Sequence, residues 1–217
     1  MKLVRSAVIL AAGSALIVSG SAGAASKPKP VCNLETDAAN DTYAVRDQEA
    51  PQAVGAPGAY GPQEDALDLT SGDIASDKKY ITAVIRVKKL ATTIATGNGQ
   101  SYEMDFNNDS ANTLYLAASI AGSSVTFSEG YRDPTANSAN SLGTPTGVID
   151  LAKNEIRITG LVADFSGQGS GLKPGRKITL GETDSGRKVV AVSVFADDMA
   201  GGATYTLGNP SCVKVNK

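Results

Sequence analysis

Short segments of alternating apolar and polar residues recur through residues 65–207, and their spacing is the strongest constraint on the fold. Clusters of Gly, Asn, Asp and Ser separate these segments, as turns separate the strands of an antiparallel sheet; residues 71–79 are one such predicted turn. The clearest segment, Tyr80–Val87, places aliphatic side chains on one face and Arg86 on the other, wetter face. About nine such segments at roughly ten-residue spacing predict an all-β fold, a single antiparallel β-sandwich of jelly-roll or immunoglobulin-like type.

The first 24 residues have the order of regions found in a secretory signal peptide. Lys2 and Arg5 precede an apolar run at residues 7–18, and Ala-Gly-Ala at residues 22–24 fits the cleavage pattern. The run is shorter than the roughly 20 residues of a membrane-spanning helix, which leaves an uncleaved anchor as the alternative interpretation. We therefore predict a secreted, extracellular protein that is not held in a membrane after signal cleavage.

The charge and the missing side chains exclude several functions. Cleavage removes two positive charges and changes the formal net charge from −2 to −4, so we expect no nucleic-acid partner. The chain contains no His, which rules out Ser–His and Cys–His nucleophile pairs within it. We expect a monomer that is not an enzyme.

Export also determines how the two cysteines are interpreted. An even number of cysteines in an oxidising compartment predicts a disulfide between Cys32 and Cys212. The bond would join the two ends of the mature chain. Closing so long a loop would stabilise the fold by at most roughly 5 kcal/mol, through the lower entropy of the unfolded chain. Residues 25–64 form an N-terminal arm with a Pro/Gly/Ala-rich linker, and residues 65–217 form the sandwich domain.

Three stretches carry a family resemblance. Residues 65–90, with Leu-Asp-Leu, Gly-Asp-Ile and Ser-Asp before an alternating strand, resemble the opening strands of secreted actinobacterial β-sandwich domains, including accessory regions of subtilisin-like proteases. Residues 33–43 are similar to an acidic loop of DOMON-like and family-nine-type carbohydrate-binding modules, although Ala38 and Asn40 replace the usual Pro and Gly. Residues 189–207 resemble the closing strands. The resemblance implies an accessory or ligand-binding module, often with a structural calcium ion.

The acidic loop is the candidate calcium site. Glu35, Asp37 and Asp41 offer carboxylate oxygens, which Ca²⁺ prefers, and Asp68 or Asp73 could join them in space. No basic residue lies between Lys29 and Arg46 to neutralise the loop. The alternative is an ordinary solvated loop with Asx turns.

Other motifs favour structural interpretations. Asp105 to Asp109 is spaced like the start of a calcium loop but lies between two alternating segments, which favours a hairpin loop. Asp197 and Asp198 are adjacent, so on a strand their carboxyl groups would point to opposite faces rather than form one catalytic pair. Among the aromatic residues that glycan binding would need, Tyr60 and Tyr131 lie in loop-like settings.

These observations predict a secreted, non-catalytic β-sandwich binding or accessory module with an unknown ligand, either a glycan or a secreted protein partner, and with a possible calcium ion. The alternative is a stand-alone structural or regulatory exported domain associated with a secreted protease.

Overall fold

The structure is a computed structural model that describes residues 27–40, 42, 64–94, 98–136, 138–168, 171–189 and 192–216. The predicted signal peptide, residues 48–63 of the linker, Tyr60 and Asp41 lie outside the described residues. Within the described segments there is no helix with the length and apolar character of a membrane span.

Twelve strands in the described residues form two antiparallel sheets, which confirms the predicted β-sandwich and exceeds the expected nine strands. The five-stranded sheet has the order β1-β2-β3-β9-β8, and the larger sheet has the order β11-β10-β4-β5-β6-β7, with β12 also paired to β10. The strands are β1 (Glu35–Thr36), β2 (Leu69–Ser76), β3 (Tyr80–Val87), β4 (Gly99–Asn107), β5 (Thr113–Ala121), β6 (Ser124–Asp133), β7 (Ser138–Gly143), β8 (Thr146–Asp150), β9 (Glu155–Leu161), β10 (Lys177–Val189), β11 (Val192–Met199) and β12 (Thr204–Thr206).

The core lies between the sheets and follows the predicted alternation on β3. Ile81 and Ile85 are fully buried there and pack with Met104 and Phe106 from the facing sheet. The other face of β3 is less exposed to solvent than predicted, because Val84 is also fully buried. The C-terminal segment after β12 covers it and places Val213 against Val84.

The turn predicted at residues 71–79 is largely wrong, because β2 continues to Ser76. Gly72 lies inside the strand, where a side chain would collide with the methyl group of Met104 and crowd Glu35. Ser-Gly-Asp is thus an interior stretch in which glycine gives room to neighbouring side chains. The actual turn begins at Asp77, whose Oδ1 accepts the backbone N–H groups of Lys79 and Tyr80 at 2.7 and 2.8 Å.

The disulfide between Cys32 and Cys212 is confirmed, with its Cα atoms 5.1 Å apart across 180 residues of sequence. Cys212 follows the last strand, so the bond joins the arm to the C-terminal segment rather than to β12. Backbone hydrogen bonds flank it, including Cys212 N–H to Val31 O at 3.0 Å. The arm also contributes β1, which pairs with β2, so the sandwich includes residues before position 65.

Candidate ligand-binding face

Two of the residues predicted to bind calcium lie beside basic side chains. Asp73 Oδ2 is 2.7 Å from Arg86 Nη1, on the outer face of the five-stranded sheet. Asp68 Oδ2 accepts the backbone N–H of Asn40 at 2.8 Å and lies 3.8 Å from Lys88 Nζ. Hydrogen bonds and cations therefore already contact the oxygens that a calcium ion would need.

The other two predicted ligands belong to the acidic loop. Asp37 Oδ1 accepts the backbone N–H of Ala38 at 2.8 Å, while Asp41 lies outside the described residues. Among the residues that the structure does describe, no group of three or more His, Cys, Asp or Glu side chains is placed to hold a metal ion. Calcium binding at Asp37, Asp41, Asp68 and Asp73 stays a prediction.

A larger collection of carboxyl groups lies on the outer surface of the seven-stranded sheet. Strand register places Glu103 of β4 opposite Asp184 of β10, and Asp184 opposite Asp198 of β11. Their neighbours Met104, Thr183 and Met199 are fully buried, which places the carboxyl groups on the opposite, solvent side. One row of three acidic residues thus crosses three strands.

A β-bulge in β10 adds two more carboxyl groups to this row. Leu180 pairs with Phe106 and Thr183 pairs with Met104, so two residues of β10, Gly181 and Glu182, lie opposite Asp105 of β4. A side chain on Gly181 would contact the Cβ of Asp105 at 2.9 Å, so glycine permits this close approach. We call the resulting surface the acidic face: Glu103, Asp105, Glu182, Asp184 and Asp198.

Arg132 of β6 is the basic side chain that reaches this surface. Its guanidinium group donates to Glu103, with Nε 2.8 Å from Oε1, and its Cζ lies 5.6 Å from the centre of the Tyr115 ring. Tyr115 is opposite Asp105 in the strand register. The Arg132 guanidinium group therefore interacts with three of the five carboxyl groups, those of Glu103, Asp105 and Asp184.

Carboxyl groups of the acidic face have raised pKa values because they are buried and lie close to one another. Burial, followed by repulsion from Glu103, raises the pKa of Asp105 to about 8, although Arg132 opposes the shift. Burial and the same neighbour raise the pKa of Asp184 to about 7, and burial with Asp198 raises the pKa of Glu182. A cation placed here would favour the ionised carboxylates and offset the cost of crowding.

An open groove of about 840 Å³ continues the acidic face at the end of β4. Asn107 and Thr179 form its border with the acidic face, and Lys173 and Lys177 line its far part. Arg176, also in the groove, forms a 2.8 Å ion pair with Asp109. The predicted hairpin between β4 and β5 is confirmed, but its loop begins only after Asn107, because Asp105 and Phe106 still belong to β4; Asp109 and Ser110 of the loop line this groove.

The structure also tests the remaining sequence-based interpretations. Asp197 is buried, with Oδ2 accepting the backbone N–H of Leu69 at 2.7 Å, whereas Asp198 is exposed, so the expectation of opposite faces is confirmed. Tyr131 lies within β6 and packs against the core, so its predicted loop setting is wrong. Sequence reasoning missed the acidic face because Glu103 and Asp184 are 81 positions apart and meet only through strand pairing.

Comparison of the chain with protein-family models, with curated proteins and with solved structures found no match. The resemblance to DOMON-like and carbohydrate-binding-like sandwiches therefore stays a prediction. What the fold and its surface define is the class, an all-β sandwich with one acidic face and a disulfide-fixed C-terminal segment.

Proposed function

We propose that this protein is a secreted, non-catalytic, monomeric β-sandwich module that binds a positively charged segment of another exported protein through the acidic face. The crowding around Asp105 and Asp184 is the observation that carries the proposal. Burial and, after it, repulsion from Glu103 raise their pKa values, and lysine or arginine side chains of a partner would supply the missing positive charge.

The shape of the surface supports a polypeptide partner. The acidic face is a flat row across β4, β10 and β11, and the groove bordered by Asn107 and Thr179 extends it. The lysines at the far part of the groove give the surface two signs of charge along its length. A partner with a basic segment followed by an acidic one would match this order and bind in one direction.

Proton release provides the decisive test. Binding of a Lys/Arg-rich peptide, measured by calorimetry at pH 7 in buffers with different ionisation enthalpies, is expected to release protons as Asp105 and Asp184 ionise. Asp105→Asn and Asp184→Asn should each weaken binding about 5–10-fold, and added salt should weaken it further. The control Asp150→Asn, on the opposite sheet, should bind normally.

Each of three results would contradict the proposal and favour a different function. Neutral glycans bound equally well by both variants would favour a carbohydrate-binding module whose site lies elsewhere. Glycan or peptide hydrolysis that Asp105→Asn abolishes would establish a carboxylate-dependent enzyme. Absence of binding to the basic peptide and to a glycan array would favour the alternative, a structural or regulatory exported domain that accompanies a secreted protease.

A further inference from the structure

A second pair of carboxyl groups lies inside the sandwich, away from the acidic face. Glu129 of β6 is fully buried, and in the part of the chain that the structure describes no N–H or hydroxyl donor reaches either of its carboxyl oxygens; the polar group beside them is the carboxyl group of Asp164. Desolvation of a carboxyl group without compensating bonds is costly, so a buried glutamate in this state requires an explanation.

Two glycines make the space into which Glu129 points. A Cβ atom on Gly160 of β9 would collide with Glu129 Oε2, and one on Gly143 of β7 would collide with both Glu129 Oε1 and Asp164 Oδ2. Asp164 begins the 3₁₀ helix Asp164–Gly167, in the connection from β9 to β10. One acidic side chain from β6 and one from the β9–β10 connection thus approach the same small volume.

The separation of the two carboxyl groups suits one shared ion. Both oxygens overlap the position of the same absent Cβ atom on Gly143, so they lie close together. Two oxygens that bind one Ca²⁺ lie at most about 5 Å apart, because each Ca–O distance is about 2.3–2.6 Å. Glu129 can bind through both oxygens and Asp164 through one or two, and water or backbone carbonyl groups complete a calcium coordination shell.

We propose that Glu129 and Asp164 bind a single Ca²⁺ ion that joins the β9–β10 connection to β6. The ion compensates the buried charge of Glu129 and fixes the β9–β10 connection to β6 and β7. This site is different from the one predicted at Asp37, Asp41, Asp68 and Asp73, and it does not depend on the binding function of the acidic face.

The structure also contains the competing explanation, a proton shared between the two carboxyl groups. Burial, followed by the adjacent Asp164, raises the pKa of Glu129 to about 8, so the carboxyl pair holds a proton at neutral pH when no cation is bound. A divalent ion would displace that proton.

Thermal unfolding of the mature chain, monitored by circular dichroism in EDTA and in excess CaCl₂, tests the proposal. For Ca²⁺ at about 100 times its Kd we expect the Tm to rise by about 5–10 °C. Glu129→Gln and Asp164→Asn should abolish the rise, and Asp37→Asn should keep it. Asp164 is partly exposed, so Asp164→Asn remains informative if Glu129→Gln fails to fold.

The outcomes separate this site from its alternatives. Absence of a Tm rise in the wild-type protein would overturn the proposal in favour of the shared proton. A rise that Asp37→Asn removes and Asp164→Asn keeps would also overturn it, and would place calcium in the acidic loop instead. Neither result bears on peptide binding, which is measured separately with Asp105 and Asp184 variants.

Discussion

Asp73 Oδ2 and Arg86 Nη1 form a 2.7 Å ion pair in which the Asp73 side chain is 1% exposed and the Arg86 side chain 22%. Arg86 also donates from Nε to Glu155 at 2.9 Å, and Glu155 in turn accepts from Arg157. The pair therefore belongs to a network that crosses β2, β3 and β9. The loss of stability on removing one member of the network therefore depends on the burial of that residue and on the charged neighbours that remain.

Asp73→Asn is expected to lower the free energy of unfolding by about 2–3 kcal/mol, less than the loss of a fully buried pair because Arg86 is partly exposed. Denaturant titration measures the change. Asp150→Asn is the matched control, because it removes an exposed ion pair with Lys153 and should cost much less than Asp73→Asn. Equal effects of the two substitutions would contradict the assignment of Asp73 as a structural residue.

Removal of the disulfide should loosen the C-terminal segment more than the sheets. Replacing Cys32 and Cys212 together by Ala is expected to cost about 2–5 kcal/mol, while the circular dichroism spectrum keeps its β-sheet shape. The backbone N–H of Asn216, 3.2 Å from Thr82 Oγ1, should exchange with solvent faster in the variant. Unchanged exchange there would show that the packing of Val213 alone holds the segment in place.

Glu35 should make the protein less stable at alkaline pH. Its carboxyl group is buried, and burial raises its pKa from 4.5 to about 7, although the 2.6 Å hydrogen bond from Thr183 lowers it. Because the folded-state pKa is the higher one, this stabilisation is complete below about pH 4.5 and is lost as the pH rises through 7. The loss at pH 9 is at most about 3 kcal/mol.

The measurement is the midpoint of unfolding between pH 5 and pH 9, in EDTA. Glu35→Gln should flatten the alkaline part of the profile, because the glutamine side chain has no charge to bury. Asp133→Asn is the control: hydrogen bonds from Thr135 lower the pKa of this exposed carboxyl group, so its removal should leave the alkaline loss intact. A Glu35→Gln profile as steep as the wild type would refute the assignment.

Gly201 is required by a close approach of two backbone segments. A Cβ atom there would collide with the backbone carbonyl groups of Gly181 and Leu180, at the start of the bulge that forms the acidic face. Gly201→Ala is expected to cost about 2–3 kcal/mol, because neither carbonyl group can move freely within a sheet. In the control Gly167→Ala, the added Cβ atom has no other atom within 4 Å. This substitution should therefore change the unfolding free energy by less than about 0.5 kcal/mol. Comparable losses in the two variants would contradict the steric argument.

The sequence by itself determined much of the architecture. Alternation of apolar and polar residues is a local property, so it predicted β3 at its correct bounds and the hairpin of β4 and β5. The predicted export signal and the even cysteine count together predicted the bond between Cys32 and Cys212, which the structure confirms. The strand β7 was missed because its sequence, Ser-Ala-Asn-Ser-Leu-Gly, has no alternation to detect.

Only the tertiary structure decided which charged groups meet. The basic partner of Asp73 is distant in the sequence. The pairing of β2 with β3 brings Arg86 beside it. Glu103 and Asp184 become neighbours through the pairing of β4 with β10, and Glu129 meets Asp164 because the 3₁₀ helix after β9 packs against β7. The strength of an electrostatic interaction depends on the distance between the charges and on their burial. Strand register sets both, and the sequence pattern does not determine the register of strands that are far apart in the chain.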